Sequence, residues 1–216
     1  DQDRFAAHSQ RKAAAAREAG HFAEEIVPVA IPRRKQDDLV FDQDEFIKPN
    51  STEDILGKLR PAFKKEGGSV TAGNSSGLNE ARIAQPGFQR FAQIVSSAVV
   101  GVEPRIMGIG PVEASRQALA KADLTLDEMD HIELNEAFAA QSLACTRELG
   151  LADDDPRVNP QGGAIALGHP LGMTGARILL TAARQLTRNG GKYALVSLCI
   201  GVGQGYATVL RNPHAA

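Results

Sequence analysis

The chain has 216 residues, 43% of them hydrophobic, with 24 Lys and Arg against 26 Asp and Glu. That apolar content supports one generous domain or two small ones, and a formal net charge of −2 argues against the basic excess of a nucleic-acid binder. Two cysteines exclude a disulfide scaffold, and no apolar run approaches the roughly 18 residues of a membrane-spanning helix.

The first third reads as polar and punctuated. An Ala-rich helix is expected over 2–18, ended by Gly20, and a short strand over 25–29. Basic Arg33-Arg34-Lys35 follows, then an acidic stretch from Asp37 to Glu45. Ile55, Leu56 and Leu59 suggest a second helix reaching Phe63, before the small-residue loop Val70-Thr71-Ala72-Gly73-Asn74-Ser75-Ser76-Gly77. From Gln93 strands and helices alternate: a strand over 94–100, a helix over 112–122 with proline in its first turn, a strand over 131–134 and a helix over 136–149. A further helix starts near Met173 and ends at Asn189-Gly190-Gly191. The almost continuously apolar 193–200 reads as a strand buried on both faces, and 206–210 as a last strand. The alternation predicts a layered α/β domain.

Three constellations sit at element boundaries. In Asn135-Glu136-Ala137-Phe138-Ala139 a strand turns into a helix, and Asn135 serves either as a helix cap or as the holder of a water or oxyanion. Phe138, Ser142, Cys145 and Leu149 follow at helical spacing, which makes Cys145 a packed core thiol. In the glycine-rich run from Asn159 to Gly172, Pro170 pushes His169 out of helical geometry, just ahead of a helix N-terminus that favours the neutral ring. The third is Cys199-Ile200-Gly201-Val202-Gly203, where a thiol ends a buried strand and a glycine turn offers N–H groups to an anion. A core cysteine before a plain hairpin turn is the alternative there, and a satisfied structural ring is the alternative for His169. His8, His21 and His214 read as solvated, His131 as structural, and no Cys/His spacing resembles a zinc site.

Taken together, Asn135-Glu136-Ala137-Phe138, Gly162-Gly163-Ala164-Ile165-Ala166-Leu167-Gly168-His169-Pro170 and Cys199-Ile200-Gly201 resemble the thiolases, acetyl-CoA acetyltransferases and 3-ketoacyl-CoA thiolases. The resemblance extends through Asp1 to Phe5, Leu59-Arg60-Pro61-Ala62-Phe63, the 70–77 loop and Gly101 to Gly108. It implies a thiolase-fold layered α-β-α domain over about 78–216, preceded by the second half of the helical loop domain over 1–77. It also implies acyl transfer between coenzyme A thioesters. His169 then matches the histidine that activates the acyl-accepting cysteine. Cys199 matches the thiol that shuttles the α-proton of acetyl-CoA, Asn135 the holder of the oxyanion water, and Gly201 a backbone donor to the acyl-enzyme oxyanion. Lys48, Leu59, Ala72 and Ser76 match coenzyme A contacts. Coenzyme A enters as substrate, with no covalently bound cofactor and no metal. A cytoplasmic homodimer or homotetramer acting in fatty acid metabolism, without nucleic acid or a membrane span, completes the expectation.

Two departures from the family pattern stand out. The amino-terminal half, with the loop bearing the nucleophilic cysteine, is not in these residues, and the chain opens on Asp1, as expected of a piece of a longer polypeptide. Between Asn79 and Ala98 the chain is about ten residues short of the pattern, where the loss of a central strand would leave unpaired ladder groups and an open core. The rival from another class is a non-catalytic coenzyme A-binding or interaction fragment. A ketoacyl synthase is rejected because that family places a second histidine where this chain has Asn135-Glu136, and a sterol-carrier-type thiolase fits the Gly162-to-Pro170 wording less well. Acyl-chain length is not readable from these motifs.

Overall fold

The computed structural model describes residues 1–77 and 91–215. The chain opens with α1 (Gln2–Glu18), which buries Ala6, Ala7, Ala13, Ala14 and Ala16. A two-stranded antiparallel ribbon follows, β1 (Val29–Ile31) against β2 (Leu39–Phe41), with Ala30 opposite Val40. The strand expected at 25–29 is displaced. Residues 21–25 form turns, Pro28 has no N–H to donate to a ladder, and pairing starts at Val29. The basic residues 33–35 are exposed and lie between the two strands.

Next, α2 (Glu53–Leu56) is a single turn, with Thr52 Oγ1 accepting the Ile55 N–H at 3.3 Å. The helix expected to reach Phe63 stops here for two reasons. Arg60 precedes a proline, and Ile55 and Leu59 stay 50% and 40% exposed, so the apolar stripe finds no surface to bury against.

The larger unit is built from β3 (Gln93–Gly101), α3 (Gly110–Ala122), β4 (His131–Leu134), α4 (Ala139–Glu148), α5 (Ala164–Leu167), α6 (Thr174–Asn189), β5 (Tyr193–Ile200) and β6 (Gln204–Arg211). Its sheet runs β3-β6-β5-β4, with β4 and β5 parallel and the other two pairs antiparallel. Neighbouring strands are hydrogen-bonded along this order, β6 folding back on β5 and pairing on its other side with β3. The short stretch after Asn79, where the loss of a strand is expected, falls on 78–90, outside the described residues.

Alternation along β5 sorts the core onto two faces. Leu195 packs with Ala207, Val209 and Ile132 under Ala114, Ala118 and Leu119 of α3. Ala194 and Val196 face the other way, against Ile178, Ala182 and Leu186 of α6. The result is the expected helix–sheet–helix layering. Among the described residues no helix is long and apolar enough to cross a membrane.

One close approach fixes how α3 sits on the sheet. A Cβ on Gly110 would come within 2.8 Å of Gly205 Cα, and one on Gly205 would overlap the Gly110 backbone. Gly175, in the first turn of α6, has nothing within 4 Å of such a carbon. Gly205→Ala is therefore expected to lower unfolding free energy by about 1–3 kcal/mol through overpacking. Gly175→Ala should raise it by about 0.5–1 kcal/mol. Urea denaturation of the two variants checks the pair, and equal effects would contradict the packing described.

Candidate active site

The site forms where β4 leaves the sheet. All four residues of β4 are buried, and its parallel register sets Leu134 opposite Ser197. Parallel pairing sends both strands out at the same edge, where ligands of open α/β sheets bind. Asn135 follows immediately and donates its N–H to the Ser197 carbonyl at 2.9 Å. Cys199 lies two residues beyond Ser197 on β5. The capping role open to Asn135 is not taken. Helix α4 begins only at Ala139, Phe138 occupies the N-cap, and no side chain caps it.

The Asn135 side chain instead meets His169, with Nδ2 3.4 Å from Nε2. The other ring nitrogen, Nδ1, lies 2.7 Å from Thr174 Oγ1, whose own proton goes to the Pro170 carbonyl at 3.0 Å. With that hydroxyl proton committed, Thr174 accepts from Nδ1–H and Nε2 keeps its lone pair toward Asn135. This is the tautomer of a neutral base. Burial lowers the His169 pKa first and the Arg177 charge lowers it further. The ring also touches the start of α6 through Thr174, the first residue of that helix. Asn135 Oδ1 is buried and, among the described residues, without a hydrogen-bond partner. An unsatisfied buried acceptor costs about 1–3 kcal/mol, and a bound water or ligand donor would satisfy it.

The other sequence candidates spread around this pair. Cys199 is buried at 8% exposure, and burial pushes its thiol up. Among the described residues no hydrogen bond joins Cys199 to His169 or Asn135. Gly201 is exposed at the start of the β5–β6 turn, and a Cβ there would meet nothing within 4 Å among the described residues. The turn continues through Val202 at φ 68° and Gly203 at φ 86°, a left-handed pair in which the β-branched valine is strained. Cys145 is the packed thiol expected: it lies against Val112 and Leu134, contacts the Gly108 carbonyl at 3.2 Å, and is pushed up to about 12 by burial.

The 70–77 loop ties the remaining candidates to the pair. Gly77 O accepts the His169 N–H at 2.7 Å, the Ser76 N–H donates to Ala137 O at 3.1 Å, and the Ala139 N–H donates to Asn74 O at 2.9 Å. Ser76 is half-buried and Ala72 exposed on this loop. Leu59 lines a cleft of about 540 Å³ with Leu56, Pro61, Ser69 and Thr71. Lys48 is exposed beyond Gln10, whose Oε1 accepts its N–H at 2.6 Å.

Four polar residues at the centre carry roles that sequence reading missed: Ser9, Asn74, Asn159 and Thr174. Ser9 hides in an alanine run, and Thr174 looks like an ordinary first-turn residue. Asn74 and Asn159 stand in motifs already noted, each beside glycine or proline, which is the signal that marks them. His131 is structural, paired to Glu133 at 2.9 Å with both side chains buried. His8 and His21 are partly buried rather than solvated, because α1 and the turn after it pack on the larger unit.

The description "Thiolase, C-terminal domain" matches residues 88–212 and "Thiolase, N-terminal domain" matches residues 1–82. The chain belongs to the thiolase family. It is 56% identical over 222 residues to a beta-ketoadipyl-CoA thiolase of Acinetobacter baylyi, covering 98% of this chain and 55% of that protein. It is 51% identical over 223 residues to an acetyl-CoA acetyltransferase of Chromobacterium violaceum, covering 99% of this chain and 56% of that one. The crystal structure of the Bacillus anthracis acetyl-CoA acetyltransferase superposes with a TM-score of 0.89 at 43% identity, over 98% of this chain and 55% of its own. Human mitochondrial 3-ketoacyl-CoA thiolase gives a TM-score of 0.87 at 43% identity, with the same coverage of the two chains. The thiolase chain thus spans about half the length of the curated relatives it matches.

The lowered pKa of His169 has a definite sign in stability. On acidification the unfolded chain takes up this proton near 6.5 while the folded chain still excludes it, so folding stability falls as pH drops below about 6.5. His169→Gln is expected to flatten that part of the stability profile, measured by urea unfolding between pH 7.5 and 5. An unchanged slope in the variant would show that His169 is not the group responsible.

Proposed function

We propose that this chain supplies the acid–base part of a thiolase site, exchanging acyl groups between coenzyme A thioesters by thiolysis of a 3-ketoacyl-CoA or Claisen condensation of acetyl-CoA. The observation that carries the reading is the Asn135–His169 pair, with Nδ1 locked on Thr174 and Nε2 left as a neutral acceptor. Such a nitrogen accepts a thiol proton when a cysteine attacks a thioester, and once protonated its N–H becomes a donor to an oxygen where negative charge develops. Asn135, with its unsatisfied buried Oδ1, holds a water at that oxygen.

Cys199, at the same sheet edge, is assigned the α-proton of acetyl-CoA. Its raised pKa keeps it a thiol until a neighbouring base and donors stabilise the thiolate. The Gly201 N–H is assigned to the acyl-enzyme oxyanion. Coenzyme A is assigned to residues 1–77, with Lys48 toward its phosphates and Leu59, Ala72 and Ser76 along its nucleotide and pantetheine. Residues 78–216 then form the carboxy-terminal domain. Neither cysteine of the chain stands in the family's nucleophile motif, so the acyl-accepting cysteine comes from another polypeptide segment. No covalent cofactor is needed. A cytoplasmic homo-oligomer working in fatty acid metabolism goes with this reading.

The test separates the two cysteine roles in protein that carries both this chain and the nucleophile-bearing segment. His169→Ala should slow acylation of the nucleophile by about 10²–10⁴-fold. Cys199→Ala should still acylate yet lose exchange of the acetyl-CoA α-proton with deuterated water by a similar factor. Normal exchange in Cys199→Ala would refute its assignment. Binding of coenzyme A without any acyl exchange would instead favour a non-catalytic binding fragment.

A further inference from the structure

The proposed mechanism gives no task to Glu136, the next residue after Asn135, although it is 1% exposed and among the largest fully buried side chains. A carboxyl group in such a place is expensive unless every oxygen is engaged. Here both are. Oε2 accepts from Ser9 Oγ at 2.7 Å and from the Ile165 N–H at 3.1 Å, and Oε1 accepts from Asn159 Nδ2 at 2.9 Å. Burial raises the Glu136 pKa, and the Ser9, Asn159 and Ile165 bonds with the Lys12 charge oppose that rise.

The three partners lie on three separate segments that converge on the site. Ser9 is on α1, and its Oγ also accepts the Gly163 N–H at 3.1 Å. Asn159 grips the end of β4 from both sides, Oδ1 taking the Leu134 N–H at 2.9 Å and Nδ2 giving to Leu134 O at 2.8 Å. Ile165 is in α5, the short helix that leads through Gly168 directly to His169. Gly163 is the spacer: a Cβ there would overlap the Glu136 carboxyl group.

We infer that Glu136 is a positioning residue, which sets the distance between Asn135 and His169 by clamping the start of α5 to the end of β4 and to α1. The shape of the clamp explains why a carboxylate is required. A glutamine amide placed at Oε1 would face the Asn159 NH₂, and one placed at Oε2 would face the Ile165 N–H, so one donor meets another in either orientation. Lys12 of α1 faces the same cavity and gives its Nζ to Val158 O at 2.7 Å, so the carboxylate is charge-compensated without being directly paired. The inference deepens the acyl-transfer reading by naming what orients its pair, but its test involves no acyl transfer.

The experiment follows the His169 ring in the 216-residue chain by NMR titration, together with hydrogen exchange of the Ile165 amide. In Glu136→Gln the His169 midpoint should rise toward the ordinary value of about 6.5, because the loop opens to water, and Ile165 exchange should accelerate at least tenfold. Met129→Ala, a core truncation away from this loop, should lower stability while leaving the His169 midpoint in place. A Glu136→Gln chain that loses stability with an unmoved His169 midpoint would overturn the positioning role. If Glu136→Gln does not fold, Ser9→Ala removes one of the three bonds, and a smaller upward shift is expected. An unmoved midpoint in that variant would likewise overturn the inference.

Discussion

The parallel pairing of β4 with β5 determines where every polar group of the site is placed. It buries His131–Leu134 completely and ends both strands at one edge, with Leu134 opposite Ser197. Asn135 must then turn out of the sheet beside β5, and three more residues, Glu136 to Phe138, pass before α4 takes over the hydrogen bonding at Ala139. That irregular stretch would strand buried backbone groups were it not met from three directions. Ser197 takes the Asn135 N–H, Asn74 takes the Ala139 N–H, and Ala137 O receives Ser76. A site at a strand exit thus comes with a built-in demand for partners, and here those partners are the loops that carry the other functional residues.

The same demand explains the unusual polarity of this core. Asn74, Asn135, Glu136 and Asn159 are each 1% exposed, a grouping that apolar packing alone would not select. Glu136 and Asn159 are engaged at every side-chain atom able to bond, while Asn135 Oδ1 is left without a partner among the described residues. Stability would favour closing that gap. Leaving it open beside a neutral imidazole suits a residue that waits for a water and a developing oxyanion.

How much of this could be read from residues alone varies along the chain. The sheet, α3 and α6 were legible because their apolar patterns match the faces they bury, as at Leu195 against Ala194 and Val196. The first third was less legible. The 25–29 stretch and the 53–63 stretch carry apolar residues that remain exposed, so pattern without a burial partner misplaced β1 and overextended α2. The ribbon strand β2 was hidden among acidic neighbours. At the site, His169 and Cys199 were recognisable from their glycine and proline framing, and Asn135 from its place where a strand turns toward a helix. Thr174, Ser9 and the clamp of Glu136 were not, since their meaning depends on contacts between segments as far apart as 154 residues.

His169 is held as a neutral base with its proton on Nδ1. The most direct measurement is the ¹⁵N chemical shift pair of the His169 ring in the 216-residue chain at neutral pH. The structure requires a protonated Nδ1 bonded to Thr174 and an unprotonated Nε2 facing Asn135. A ring protonated on Nε2 alone, or on both nitrogens, would contradict the account.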